Sequence, residues 1–485
     1  TTVGHPCTAA SQWMVRRAID RDCQLASGVE KIYDRAPVTQ TNDPTQEESR
    51  PGKRPAHGYS RSRHRARNHD NAHAEGSSGA HEPVPSHPLI PSAAHELVTT
   101  QEGLLALLDH LRQSQRFAYD SEFIGEMSYH PQLCLIQVAS AKKVVLIDPM
   151  AAVDLLPFWE LLCDPTVEKI VHAGEQDMEP VVRHLGRRPV NFLDTQIAAG
   201  FVGMAYPVSL SKLVFELTGA KLGKGLTFTD WSQRPLSAVQ LRYAADDVRY
   251  LPAMADELVR RLTASGHLAW AKEESDALGD PARFQFDPMS DYLRVRGATS
   301  LPPQGLAVLR ELAAWRDAAA QHANCPPRAY LKDEILMDMA RSPIKAVARL
   351  ERVRGLPRPV EAEHGQAIVD ATARGLAAPV DSLQPRHPEP TPTQRFGADA
   401  LWATIQAMCA GRGIDANLVA SRQEIGDLYR HLLGETDSSG LRLMKGWRAM
   451  AAGKPLLEMY RGGIDLNLHW RDGRMVGETT ARPAS

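Results

Sequence analysis

Asp120 and Glu122 stand two positions apart inside an apolar, strand-like run, Phe117 to Phe123. A strand alternates its side chains between faces, so both carboxylates point to the same side. Two like charges held side by side are costly unless a cation sits between them. Asp and Glu oxygens are hard donors, suited to magnesium or manganese. Taken alone, the pair reads first as two acids on the wet face of an edge strand.

Two further acidic motifs follow. In Val171-His172-Ala173-Gly174-Glu175-Gln176-Asp177-Met178 a strand ends at His172 and Gly174 permits a tight approach. Asp177 then falls in the first turn of a helix running to about His184. There it could complement the helix dipole, or reach back over the strand ends to a metal. His172 reads as a structural hydrogen-bonding residue. In Tyr243-Ala244-Ala245-Asp246-Asp247, Tyr243 and Asp247 are one helical turn apart and share a face. A phenol and a carboxylate so placed can orient a water and hold a metal. The bland alternative is a helix whose acids face solvent. Asp246 points about 100° away from Asp247, so the two cannot serve one site equally.

The elements that must position these groups follow from periodicity and turn chemistry. Thr99 with Glu102 predicts a capping box, followed by a helix carrying Leu104, Leu105, Leu107, Leu108 and Leu111. Phe117–Phe123, Leu133–Ala139 and Lys143–Ile147 predict three strands in an antiparallel meander. From about 150 to 270 helices alternate with short strands such as Lys169–His172, an α/β pattern. A composition break spans about 276–300. Helices are then predicted at 305–322, 332–341, 343–353 and 360–374, with Ser342 capping Pro343. A proline-rich linker, 379–392, precedes helices at 398–410, 422–433, 440–452 and 455–462.

Composition bounds the rest. A chain of 485 residues is too long for one core, so several domains are expected. The net charge of -2 means that any nucleic acid must be held by local basic patches or by metals. No apolar run approaches the roughly 18 residues needed to span a bilayer. No charged-then-apolar segment opens the chain, so secretion is not expected and a cytoplasmic location is. The six cysteines are scattered singly, which argues against structural zinc and for a reducing compartment. Cys134 and Cys163 lie in apolar runs and read as core thiols.

Residues 1–88 read as a disordered, low-complexity extension rich in Pro, Ser, Gly, His and Arg. Its Lys53, Arg54, Arg61, Arg63, Arg65 and Arg67 could form an RNA-binding arm, although a solvated tail is the simpler reading. His64, His69, His73, His81 and His87 are too irregularly spaced for a designed metal site.

Each acidic motif is weak alone, but their order and contexts fit together. Over roughly 90–275 the chain resembles the ribonuclease D family of DEDD exonucleases, in the subgroup with tyrosine in the third motif. The resemblance rests on Phe117-Ala118-Tyr119-Asp120-Ser121-Glu122-Phe123, Pro131-Gln132-Leu133-Cys134-Leu135-Ile136-Gln137 and His172-Ala173-Gly174-Glu175-Gln176-Asp177. It continues through Phe192-Leu193-Asp194-Thr195-Gln196-Ile197-Ala198, Thr229-Asp230-Trp231, Arg234-Pro235-Leu236 and Tyr243-Ala244-Ala245-Asp246-Asp247. Two departures stand out. Ser121 replaces the usual threonine, and Ile124-Gly125-Glu126-Met127 lacks an arginine often found after the first motif.

The resemblance implies an α/β, ribonuclease H-like exonuclease domain at 89–275. The first helical module, 300–378, looks like a helicase-and-ribonuclease-D C-terminal (HRDC) domain, and 395–465 like a second, degenerate one. The first match rests on Leu309-Arg310-Glu311-Leu312, Trp315-Arg316, Pro327-Arg328, Leu331-Lys332-Asp333-Glu334 and Arg354-Gly355-Leu356. Such domains are implied to bind nucleic acid. Arg310, Arg316, Arg328, Lys332, Arg341, Lys345, Arg349 and Arg352 supply charge for this, or simply coat solvated helices.

By the same resemblance Asp120, Glu122, Asp177 and Asp247 would hold two Mg²⁺ or Mn²⁺ ions roughly 3.5–4 Å apart, with Tyr243 orienting the attacking water. The implied activity is 3′–5′ exoribonuclease action releasing nucleoside 5′-monophosphates. The implied substrates are RNAs with short 3′ tails such as tRNA precursors, with no obligate protein partner. Leu133, Phe123 and Met178 are candidates to wedge terminal bases, or core. Two rival functions stand beside this one: a DNA 3′–5′ exonuclease on the same fold, and a catalytically silent RNA-binding protein.

Overall fold

The computed structural model describes residues 84–482 apart from 126, 224, 226–228, 381–389 and 437–439. The expected extension up to residue 83, with its basic and histidine residues up to His81, Cys7 and Cys23, and most of the proline-rich linker lie outside the described residues. These divide into two compact units, one of 288–380 and one of 84–287 with 390–482.

In the second unit, β1 (Glu96–Val98) leads into α1 (Gln101–Ser114). The cap is Thr100, whose hydroxyl accepts from the Gly103 amide, rather than the expected Thr99. Glu102 lies in the first turn beside the helix's positive end. Three strands follow: β2 (Arg116–Ile124), β3 (Gln132–Ala139) and β4 (Val144–Ile147), the predicted antiparallel meander. Then come α2 (Leu156–Leu162), β5 (Glu168–Val171), a 3₁₀ turn (Gln176–Met178), α3 (Glu179–Leu185), β6 (Phe192–Asp194), α4 (Thr195–Gly200) and α5 (Leu210–Thr218). Three helices close the segment: α6 (Ala238–Arg249), α7 (Leu251–Ser265) and α8 (Leu268–Asp276).

The sheet is mixed, in the order β1-β4-β3-β2-β5-β6, with β1 parallel to β4 and β5 parallel to both β2 and β6. Its two faces carry separate cores. Phe117 and Tyr119 face Leu104, Leu108, Phe158 and Val181 of the flanking helices. Ala118, one residue out of phase, faces Ala244, Val248, Met254 and Leu258. That alternation sends Asp120 and Glu122 toward α6 and Ser121 toward α3.

Four 3₁₀ turns, Ala277–Gly279, Pro281–Arg283, Asp291–Arg294 and Ala298–Ser300, follow α8. The first unit is then helical: α9 (Pro303–His322), a short helix (Pro327–Tyr330), α10 (Asp333–Arg341), a 3₁₀ segment (Val347–Arg352) and α11 (Arg358–Ala377). Ser342 ends α10 instead of capping a new helix, and 343–346 are not helical. The Pro343 signal therefore marks a stop, because the ring removes a donor that a continuing helix would need.

After the linker come α12 (Pro392–Arg412), α13 (Arg422–Leu432) and α14 (Lys454–Tyr460), with broken 3₁₀, α and π turns over 442–453. A hairpin, β7 (Ile464–Arg471) and β8 (Arg474–Ala481), ends the described chain. The sequence reading gave it no element. The 395–465 helices share one core with the exonuclease segment: Trp402, Ile405, Met408 and Trp447 join Phe201, Leu213 and Met254. Trp447 packs edge-on against Phe201 at 4.7 Å, and its indole donates to Glu274 Oε2 at 2.8 Å. Arg448 grips the same carboxylate through two bonds of 2.6 Å.

Cys134, Cys163, Cys325 and Cys409 are buried free thiols. Burial pushes the Cys409 thiol up to about 12, so it stays protonated and inert. Lys169 is fully buried. Its ammonium donates to the carbonyls of Asp164 and Val167 at 2.8 Å each and sits 5.3 Å from the Phe192 ring centre.

Burial pushes the Lys169 ammonium down from 10.5 to about 8. Between those values the unfolded chain keeps a proton that the folded one has released, so stability should rise with pH across this window. We expect wild type to gain up to about 3 kcal/mol over Lys169→Met between pH 8 and 10.5 in denaturant unfolding. A pH-independent difference between the two would show that the amine does not titrate there.

Candidate active site

Asp120, Glu122 and Asp247 converge, each offering a carboxylate oxygen within 4.8 Å of the others. All three are buried, at 7%, 9% and 8% exposure. Strand alternation aims the first two at α6. Ser237 and Gln240 start that helix with a reciprocal capping box, and Ala244, Ala245 and Val248 pack it onto the sheet. Asp247 thereby faces inward. Asp246, one residue earlier, turns away to pair with Arg249 at 3.0 Å. Tyr243, one turn before Asp247, is half-buried with its ring 6.2 Å from that of Trp231.

Asp177 is not in that trio; it is held against β2 at Ser121, the residue between Asp120 and Glu122. β5 pairs with β2 only as far as Ala118, so the acidic residues of β2 lie beyond that ladder. The chain leaving β5 turns back beside them. Ala173 takes a left-handed φ of 56°. Gly174 has no room for a side chain, since a Cβ there would lie 2.6 Å from Val171 Cβ. The 3₁₀ turn then sets Asp177, 3% exposed, against β2. Its carboxylate accepts from Ser121 Oγ, and its backbone carbonyl accepts from the Tyr119 hydroxyl at 2.8 Å. Burial, reinforced by the Asp177 charge, pushes the Tyr119 phenol well up, so it remains a donor.

Other residues brace this geometry without entering it. Asp194, 1% exposed, accepts from the amides of Ala173 (3.2 Å), Gly174 (3.1 Å), Gln196 (2.8 Å) and Ile197 (3.3 Å). One carboxylate thus caps α4 and fixes the turn leading to Asp177. Burial raises its pKa, and the four amides oppose the rise. Arg234 forks onto Asp148 at 2.6 and 2.7 Å and donates to the Cys134 carbonyl at 2.7 Å, tying the segment before α6 to β3 and the end of β4. Burial alone would push the Asp148 carboxyl up, but Arg234 and the Met150 amide bring it below its ordinary value.

His172 is structural as expected, bonded to Thr195 Oγ1 at 2.9 Å and to the Val208 carbonyl at 3.1 Å. Met178 is fully buried core and cannot touch a substrate base. Phe123 and Leu133 are half-buried partners across β2 and β3, at a bulge directly after Glu122. Among the basic residues of the other unit, Arg316 is internal, bonded to Asp333 at 2.7 Å and to the Leu331 carbonyl. Arg310 pairs with Glu311 at 3.0 Å. Arg328, Lys332, Arg341, Lys345, Arg349 and Arg352 are exposed.

The sequence reading passed over three bracing roles. Ser121 looked like a mild replacement for threonine. Asp194 carried a local signal, an acid followed by Thr-Gln at a helix start. The Asp148–Arg234 contact joins residues far apart in the chain and had no local signal.

Buried carboxylates converging from a strand and a helix on a mixed sheet make a cluster that could hold a metal, set in the fold of a 3′–5′ exonuclease. The family model described as 3′-5′ exonuclease matches residues 95–263, and that of the HRDC domain matches 305–372. The ribonuclease D of Gluconacetobacter diazotrophicus is 37% identical over 386 residues, 78% of this chain and 93% of that protein. That of Zymomonas mobilis is 34% identical, covering 76% and 94%. The crystal structure of Escherichia coli RNase D superposes with a TM-score of 0.66 at 29% identity, over 76% of this chain and 99% of that one. The chain belongs to the ribonuclease D family, and its activity is that of a 3′–5′ exoribonuclease.

The cluster fits a hard divalent cation, since its donors are all carboxylate oxygens and are held close despite mutual repulsion. Asp120→Asn should therefore raise metal-free stability by on the order of 1 kcal/mol. It should also abolish the thermal stabilisation that Mn²⁺ confers on wild type. Melting curves with and without Mn²⁺ check both, and an undiminished Mn²⁺ shift in the variant would remove Asp120 from the ligand set.

Proposed function

We propose that Asp120, Glu122, Asp177 and Asp247 together hold two divalent ions, magnesium or manganese, and that Tyr243 orients the attacking water. The observation that carries this is the convergence of Asp120, Glu122 and Asp247 from segments more than a hundred residues apart. When bound, such ions lower the pKa of a water and offset charge on the leaving oxygen. The protein's part is to set the geometry. Glu122 and Asp120 are fixed by the strand, Asp247 by its helix, and Asp177 by Ser121 and Tyr119. The Tyr243 phenol, one turn from Asp247, can donate to a water and leave that water's lone pair aimed at the terminal phosphorus. The products are nucleoside 5′-monophosphates released from the 3′ end.

For substrates we infer structured RNAs with short 3′ extensions, tRNA precursors among them. The Escherichia coli relative is described as an exoribonuclease involved in structured RNA processing. The HRDC domain, read as 300–378, presents exposed Arg341, Lys345, Arg349 and Arg352 to such a partner. We read 89–275 as the exonuclease domain and 395–465 as a degenerate second HRDC copy built into the catalytic unit's core. No described helix is long and apolar enough to cross a membrane, and we place the activity in the cytoplasm.

Asp120→Asn, Asp177→Asn and Asp247→Asn should each abolish mononucleotide release while keeping a wild-type circular dichroism spectrum. Near-wild-type turnover in any folded variant contradicts that residue's role. Tyr243→Phe should slow turnover on the order of 10²-fold with RNA affinity little changed. Matched 3′-extended tRNA and DNA strands, digested in parallel, separate the RNA reading from a DNA exonuclease.

A further inference from the structure

The tip of the β7–β8 hairpin gathers features that neither the core nor the carboxylate cluster uses. Asp472 and Gly473 make a two-residue turn with left-handed φ values of 49° and 73°. The register then sets Trp470 opposite Met475 and Arg471 opposite Arg474. Trp470 is 71% exposed and Met475 47%, with Leu468, 55% exposed, two residues along the same face. A large indole held out in water beside two apolar neighbours costs solvation free energy, yet offers a flat platform on which a base can stack.

Two arginines directly opposite each other also repel. Glu478 pairs with Arg471, while Arg474 makes no ion pair among the described residues. Arg474 instead borders a recess of about 240 Å³ lined by Gln406, Asp415 and Asn417. The hairpin's root is rigid: Val476 is 3% exposed, and a Cβ on Gly411 of α12 would lie 2.6 Å from the Gly477 carbonyl oxygen. The tip is therefore presented on a fixed support within the compact unit that holds the catalytic cluster.

We propose that this tip is a holding site for single-stranded RNA. Trp470 stacks a base upstream of the 3′ end being trimmed, and Arg471 and Arg474 take neighbouring phosphates. The arginines and the indole lie on opposite faces, but the hairpin is only two strands, about 5 Å, wide, so one RNA strand draped over its end can reach both. Arg474, with no ion pair among the described residues, favours a polyanion as the partner of the exposed indole. The proposal rests on the exoribonuclease activity and leaves the assignment of metal ligands untouched.

The test uses the full chain in EDTA and a labelled single-stranded RNA of about 12 nucleotides, followed by anisotropy. Trp470→Ala should weaken binding about tenfold, and Trp470→Phe should restore most of it. Arg474→Glu should weaken it too and reduce the slope of log affinity against log salt by about one. With Mg²⁺ restored, both variants should raise KM for the same RNA and leave the turnover of a dinucleotide unchanged. Unaltered affinity in both variants overturns the proposal, as does an equal loss of dinucleotide turnover, which would signal general damage. A change in light-scattering mass for Trp470→Ala with RNA affinity intact would make the tip a self-contact and overturn it equally.

Discussion

Three buried carboxylates brought within 4.8 Å of one another are the constraint on which the catalytic unit turns. Like charges in a low-dielectric setting repel more strongly than in water, and burial adds a solvation cost to each. A chain left to itself would swing such groups apart. Here the sheet and α6 prevent it. Asp120 and Glu122 sit inside a strand paired along its length with β3, and Asp247 lies on a helix packed over the same face by Ala244, Ala245 and Val248. The repulsion is thus held against a well-packed core, and a divalent cation would relieve it.

The bracing residues make sense in that light. Asp177 needs more support than the others, because it follows a short strand and a turn instead of lying within a long element. Four amides on Asp194, the Tyr119 phenol and the Ser121 hydroxyl supply that support. Tyr119 and Ser121 alternate with Asp120 and Glu122, so a single strand presents acids on one face and clamps on the other. This also accounts for Ser121 serving where the family commonly has threonine. The contact requires a hydroxyl, and both residues provide one.

Much of this was legible from residue order. The meander, the α6 position of Tyr243 and Asp247 and the divergence of Asp246 follow from periods of 2 and 3.6 alone. Element ends were less legible. Thr99 and Thr100 offer the same hydroxyl, and only the backbone decides which residue caps. Ser342-Pro343 carries both a start and a stop signal, and in the structure it acts as the stop. Arg316 looked like surface charge because its partner Asp333 is a full helix and a turn away in sequence. The β7–β8 hairpin was missed because Leu466, Leu468 and Trp470 alternate over a strand lacking the usual buried face.

The fusion of the 395–465 helices to the exonuclease unit was invisible for a related reason: it rests on a shared core and on polar contacts between residues distant in sequence, those of Glu274 among them. Glu274 accepts from both Arg448 nitrogens and from the Trp447 indole. Burial would raise its pKa, yet these donors bring it below the ordinary carboxylate value, so the pair stays ionised. Buried pairs contribute little net stability, because desolvation offsets attraction, but removing one partner strands the other's charge. The contact therefore acts through specificity. An apolar patch around Phe201 and Trp270 could accept Trp447 in several orientations, whereas a carboxylate satisfied by three donors at fixed angles admits one. Such a joint holds the C-terminal helices in register with the exonuclease core, which lets the hairpin they carry stand at a fixed place relative to the carboxylate cluster.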